Sequence, residues 1–211
     1  MQKLPVYLLI DTSGSMQGEP IEAVNAGLQA LVSSLRRDSH VIEIAQLSII
    51  AFDREAKLLL PLTPVKRIQL PLIETSGSGP TMTGAALELV CQRVDNELMG
   101  NLHHQERCCK PLLFIMTDGS PSDIKTFKEM VPECKRRNFL SIIACAAGVK
   151  ANIEVLNSLA DKVFSLETCD SNTFSQFFSW VSSSISSNAT DIYDNLPPDL
   201  PPPPDDINKV L

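Results

Sequence analysis

Leu4-Pro5-Val6-Tyr7-Leu8-Leu9-Ile10 runs directly into Asp11-Thr12-Ser13-Gly14-Ser15-Met16, and the reading of this junction decides the fold. A continuous apolar run closed by a polar, glycine-containing turn is the pattern of a strand buried on both faces. Beyond the turn, Ile21, Val24, Leu28, Leu31 and Leu35 recur at helical spacing, which predicts a helix over Pro20 to Leu35 with one face in the core. The same alternation returns downstream. Leu112 to Thr117 reads as a strand followed by a helix over Ser122 to Arg137, and Leu140 to Ala146 as a strand followed by a helix over Ile153 to Ala160. Val163 to Leu166 is the last strand, and Asn172 to Ser187 a closing helix whose Phe174, Phe177, Phe178, Val181 and Ile185 form a core stripe with Trp180 on its flank.

Strands alternating with helices predict an α/β fold with a doubly wound, mostly parallel central sheet of about six strands and helices on both faces, Rossmann-like in layout. Glu43 to Phe52 and Lys57 to Leu62 lie too close for a crossover helix, so they predict one antiparallel edge strand. Thr83 to Asn96 supplies a further helix. The chain has 211 residues, divided into a domain over 1–187 and a tail over 188–211. A chain of this size buries roughly 70% of its unfolded surface, so its core needs no metal or disulfide to exist. The tail holds Pro197, Pro198 and Pro201 to Pro204 with five aspartates against Lys209, a composition that predicts disorder with polyproline II character.

Charge narrows the function classes. Lys and Arg number 18 against 25 Asp and Glu, and the net charge of -7 disfavours nucleic acid and anionic membrane partners. No apolar run approaches the ~18 residues of a bilayer span. Met1-Gln2-Lys3 leads directly into the first strand, which leaves no room for a secretory leader and predicts a cytoplasmic protein with free thiols at Cys91, Cys108, Cys109, Cys134, Cys145 and Cys169. His103, His104, Cys108 and Cys109 share one polar stretch that reads as a solvated loop, with soft-metal chelation as the alternative.

The chemistry collects at strand ends. Asp11, Ser13 and Ser15 alternate through a turn that Gly14 allows to be sharp, so three oxygens can converge. Asp118 follows the strand Leu112 to Thr117. If that strand neighbours the first where the sheet order reverses, the two carboxylates meet in the crevice at the strands' carboxyl ends. Thr81, in a loop opening into a helix, offers another oxygen. Such a hard-oxygen set suits Mg2+, with Mn2+ or Ca2+ as substitutes, rather than zinc. Asp53 and Asp123 read as solvated surface carboxylates outside the set.

Asp11-x-Ser13-x-Ser15, Thr81 and Asp118 together resemble the metal-ion-dependent adhesion site of von Willebrand factor A domains, in the family's chain order. Leu4 to Ile10, Gly18-Glu19-Pro20-Ile21-Glu22-Ala23, Ala51-Phe52-Asp53-Arg54-Glu55-Ala56 and Thr117-Asp118-Gly119-Ser120-Pro121-Ser122-Asp123 look like the bacterial tellurium-resistance, TerY-like branch. The resemblance implies direct hydroxyl ligands at Ser13 and Ser15, a direct or water-mediated one at Thr81, and anchors acting through metal-bound water at Asp11 and Asp118. It also implies a partner's Asp or Glu carboxylate in the remaining octahedral position, coupling to movement of the closing helix, and association with a protein kinase and a serine/threonine phosphatase.

Enzyme readings fit less well. A haloacid-dehalogenase-type phosphatase needs a second Asp where Ser13 stands, and a serine hydroxyl is too weak an acid to protonate a leaving group. No P-loop lysine motif, complete dinucleotide fingerprint or nucleophile elbow occurs. The sequence therefore predicts a non-enzymatic, Mg2+-dependent protein-interaction module. A metal-dependent hydrolase and a scaffold acting through its proline-rich tail are the alternatives.

Overall fold

β1 (Leu4–Asp11) is buried along its whole length. A strand this apolar needs cover on both sides, and its residues divide between two cores. Leu4, Val6, Leu8 and Ile10 join one, Tyr7 and Leu9 the other. The structure is a computed structural model that describes residues 2–77, 79–99, 109–148, 151–166, 170–194, 201–202 and 208–210.

A short 3-10 turn at Gly14–Met16 leads to α1 (Glu19–Arg37), which starts on Gly18 at φ 84° with Pro20 in its first turn and ends on Arg36 and Arg37, cations suited to a helix C-terminus. Then come α2 (Val41–Ile44), β2 (Ala45–Phe52) and β3 (Ala56–Pro64), followed by α3 (Thr83–Val94), β4 (Leu112–Thr117) and α4 (Ile124–Arg136). The described chain continues through β5 (Ser141–Ala147), α5 (Ile153–Leu159), β6 (Lys162–Leu166), α6 (Ser171–Asp194) and β7 (Asn208–Val210). The sheet order is β3-β2-β1-β4-β5-β6-β7. β1 pairs in parallel with both β2 and β4, as do β4 with β5 and β5 with β6, while β3 and β7 are antiparallel edges. The expected mixed, mostly parallel sheet is therefore present in β1 to β6.

Helices α1 and α6 cover one face, and α3 and α4 the other. The contact of α1 with α6 is close because Gly27 has no side chain. A Cβ there would collide with the Phe178 ring. Trp180 is buried rather than flanking, packed edge-on against Phe164 of β6 with ring centroids 4.6 Å apart. The irregular chain between β3 and α3 is tied to α1 instead of to a strand: Asn25 Nδ2 donates to the Ile73 carbonyl, Asn25 Oδ1 accepts from the Ile73 amide, and Arg36 donates to the carbonyls of Val65 and Ile68.

Two boundaries differ from the sequence reading. Glu43 and Ile44 belong to α2, not β2, because Asp38 accepts the amides of His40 and Val41 and starts a helical turn there. The closing helix runs past Ser187 to Asp194, since Asn188 and Ala189 are buried and continue its apolar side. Disorder was expected throughout 188–211, yet Asn208–Val210 pairs with Val163–Ser165 as β7, and the Trp180 indole N–H donates to the Pro201 carbonyl at 2.9 Å. An edge strand's unpaired amides and carbonyls and a buried indole N–H both require partners, and this segment supplies them.

Candidate functional site

Asp11 ends β1, opposite Phe52 of β2. Its side chain is fully buried and held at both oxygens: Oδ1 accepts the Ser13 amide at 2.8 Å, and Oδ2 accepts the Thr117 hydroxyl at 2.6 Å. Burial raises its pKa above the ordinary carboxylate value; the Thr117 and Ser13 bonds oppose that rise, and the nearby charge of Asp118 adds to it. The 3-10 turn after Ser13, closed by the Met16 amide on the Ser13 carbonyl at 3.0 Å and anchored by the buried Met16 side chain, brings Ser15 back over Ser13. Their hydroxyls are 3.2 Å apart, and Ser15 Oγ donates to Asp118 Oδ1 at 2.8 Å. β1 and β4 are neighbours at the point where the sheet order reverses, which is what brings the two carboxylate loops together.

Thr81 arrives from a third loop. A Cβ on Gly119 would lie 3.3 Å from Thr81 Oγ1, so this hydroxyl sits against the turn that carries Asp118. Two reciprocal bonds fasten the loops: the Thr81 amide donates to Ser122 Oγ at 3.0 Å, and the Ser122 amide donates to the Thr81 carbonyl at 2.8 Å. Asp11, Ser13, Ser15 and Asp118 are thus linked by hydrogen bonds and Thr81 lies against the Asp118 turn, with Ser15 exposed and the other four buried.

Asp53 and Asp123 are not the free surface carboxylates expected. Asp53 is 9% exposed; its carboxylate accepts the Glu55 amide and its carbonyl accepts the Met82 amide at 2.8 Å, so the β2–β3 turn props the Thr81 loop. Asp123 caps a helix other than its own, accepting the Gly84 and Ala85 amides of α3 at 3.0 and 2.9 Å. Such a cap satisfies helix N–H groups that have no partner within the helix. Removing it in Asp123→Ala is expected to cost about 1–2 kcal/mol, read as a lower urea midpoint at unchanged slope.

Thr117 and Ser122 were missed as site residues. The available signal for Thr117 was a hydroxyl closing an otherwise apolar strand two residues before a glycine. Of the soft-metal candidates, His103, His104 and Cys108 lie outside the described residues, and Cys109 is buried in the core. The other described cysteines, Cys91, Cys134 and Cys145, are also buried.

The donor set is hard oxygen throughout. Among the described residues no lysine or arginine pairs with Asp11 or Asp118, and no three His, Cys, Asp or Glu side chains converge. Two carboxylates with no cationic partner among the described residues, one of them fully buried, together with three hydroxyls match a hard divalent ion in donor chemistry. Beside Thr12 a groove of about 230 Å3 opens, lined in part by Asp53, Glu55, Lys57, Glu74 and Ser76.

Fold and site together define an α/β domain whose loops gather oxygens at the switch point of the sheet. The chain belongs to the von Willebrand factor type A domain family, whose model matches residues 6–180. The uncharacterized protein sll0103 of Synechocystis is 29% identical over 119 residues, covering 55% of this chain, which spans only 25% of that relative. Proximal thread matrix protein 1 from the mussel byssus, in a structure with a zinc-occupied MIDAS motif, has a TM-score of 0.65 at 16% identity, covering 87% of this chain and 48% of that one. The pilus adhesin SpaC of Lactobacillus rhamnosus GG, in an open conformation, has a TM-score of 0.67 at 12% identity, covering 89% and 30%. These last two likenesses are of fold. Among the described residues no helix is long and apolar enough to cross a membrane.

Proposed function

We propose that this domain binds a protein partner through a divalent cation, Mg2+ first among the candidates and Mn2+ or Ca2+ as substitutes. Ser13 and Ser15 would hold the ion by their hydroxyls, Thr81 directly or through water, and Asp11 and Asp118 through metal-bound water. The cation supplies Lewis acidity and positive charge at an exposed edge. The observation that carries the reading is the pair of carboxylates hydrogen-bonded with Ser13 and Ser15, beside the Thr81 loop, with no cationic side chain against them among the described residues. Neutral hydroxyl ligands leave the ion attractive to an anion from outside, so the partner's contribution is an Asp or Glu side chain. The zinc-occupied motif of the mussel protein supports a metal at this position of the fold.

The acidic groove beside Thr12 favours a partner whose carboxylate is followed by lysine or arginine. The likeness of the Leu4 to Ala23, Ala51 to Ala56 and Thr117 to Asp123 segments to TerY-like proteins supports a cytoplasmic setting in bacterial stress or tellurite resistance, with a protein kinase and a serine/threonine phosphatase as partners.

Binding of glutamate-containing peptides, measured by anisotropy in Mg2+ and then in EDTA, tests the reading. Binding in Mg2+ that is lost in EDTA, in Asp118→Ala and on changing the peptide's Glu to Gln supports it. Equal binding with and without the metal overturns it.

A further inference from the structure

On the sheet face covered by α3 and α4, two thiols are neighbours. Cys91 of α3 is 2% exposed and Cys134 of α4 is fully buried, and both belong to the apolar cluster between the helices and the sheet. One helical turn further along both helices, Arg137 makes a two-point ion pair with Asp95, Nε to Oδ1 at 3.0 Å and a terminal nitrogen to Oδ2 at 2.7 Å. Asp95 stands four residues from Cys91 and Arg137 three from Cys134, so the same two helix faces are joined twice and their register is fixed. Cys109 and Cys145 lie in the core on the opposite face of the sheet, where they cannot compete for this contact.

We propose that Cys91 and Cys134 are a peroxide-sensitive dithiol that closes to a disulfide and pins α3 to α4. Arg137 lies beside both sulfurs, and its charge favours a thiolate on either. One sulfur acts as the nucleophile and the other as the resolving thiol.

The thiolate of one cysteine attacks one oxygen of hydrogen peroxide. An S–O bond forms, the O–O bond breaks, and the leaving hydroxide takes a proton to become water, leaving that cysteine as a sulfenic acid. The other thiol, losing its proton, then attacks the sulfenic sulfur; the S–S bond forms, the S–O bond breaks, and a second water leaves. Two thiols and one peroxide give one disulfide and two waters. Burial selects the oxidant, because a molecule little larger than water enters on local opening of the helices whereas a bulky disulfide needs the helices separated. The bridge would enclose β4 and the loop of Asp118, Ser122 and Asp123. It stands independently of the metal reading.

The test treats the full-length folded protein with hydrogen peroxide, alkylates it and maps its peptides by mass spectrometry. Expected are a loss of two hydrogen masses, a fall in alkylatable thiols from six to four, a dominant Cys91–Cys134 peptide and reversal by dithiothreitol. Because this reading comes from the unsubstituted chain, it does not depend on a variant folding; Cys134→Ala should stop oxidation short of that disulfide. Preferential oxidation of other thiols, or a bridge that appears only in urea, overturns the proposal.

Discussion

Asp11→Asn is expected to abolish the rise in melting temperature on adding Mg2+, while the metal-free variant melts at or above the unsubstituted protein at neutral pH. A ligand at a hundred times its Kd stabilises the native state by about 2.7 kcal/mol, which in a domain of this size is about 5–10 °C in Tm. Asparagine keeps an acceptor for the Ser13 amide but removes the charge that anchors the ion. Without metal that charge is a liability, because it is fully buried, lies near Asp118 and has no cationic partner among the described residues. A carboxyl whose pKa is raised on folding contributes stability below its ordinary, unfolded value, and that contribution is lost as pH rises through the folded value. Unsubstituted and variant proteins should therefore melt alike in acid without metal and diverge, in the variant's favour, as pH rises. Differential scanning calorimetry across pH, with and without Mg2+, checks both parts. An undiminished Mg2+ response in Asp11→Asn would show that the cluster is not the metal site.

The second large effect lies at Gly84. A Cβ there would sit 2.5 Å from the Phe127 amide nitrogen, 2.7 Å from Asp123 Oδ2 and 2.9 Å from the Thr126 carbonyl carbon. Backbone cannot turn aside as a side chain can, so α3 and α4 must separate and the Asp123 cap is lost with them. Gly84→Ala is expected to cost about 3–4 kcal/mol, overpacking plus a broken cap, or about 10 °C in Tm. Gly27 provides the contrast, since the Cβ there meets only the Phe178 ring. Gly27→Ala should be severe alone and substantially relieved by Phe178→Leu, whereas no single side-chain substitution should relieve Gly84→Ala. Urea titrations of the single and double variants measure that difference.

These contacts show which parts of the molecule could be read from the chain. β1, β4 and β5 declared themselves because strands buried on both faces must be apolar throughout, and α1 because its stripe repeats every three to four residues. Asp11, Ser13, Ser15, Thr81 and Asp118 were legible through residue type and spacing within three short segments. Asp123 was not, because its acceptors are amides of another helix, 38 and 39 residues away, and no local pattern distinguishes such a cap from a solvated aspartate. Asp53 escaped for the same reason, since its carbonyl and not its carboxylate reaches the Thr81 loop. The continuation of α6 to Asp194 was hidden by a run of serines and asparagine with weak helix preference, placed by packing of Ile185 and Ala189 instead.

The two borders of the sheet bear on how the protein behaves when concentrated. β3 carries Pro61 and Pro64, which offer no amide, and its pairing with β2 slips in register near Ile49, so it makes a poor template for another chain. β6 has no such defect over Val163–Ser165 and is covered by only three residues of β7. A chain clipped by a protease before Asn208 would expose the Val163–Ser165 border to its neighbours. Colloidal stability should then fall sharply although every helix and the oxygen cluster remain in place, which makes the last few residues a determinant of shelf life.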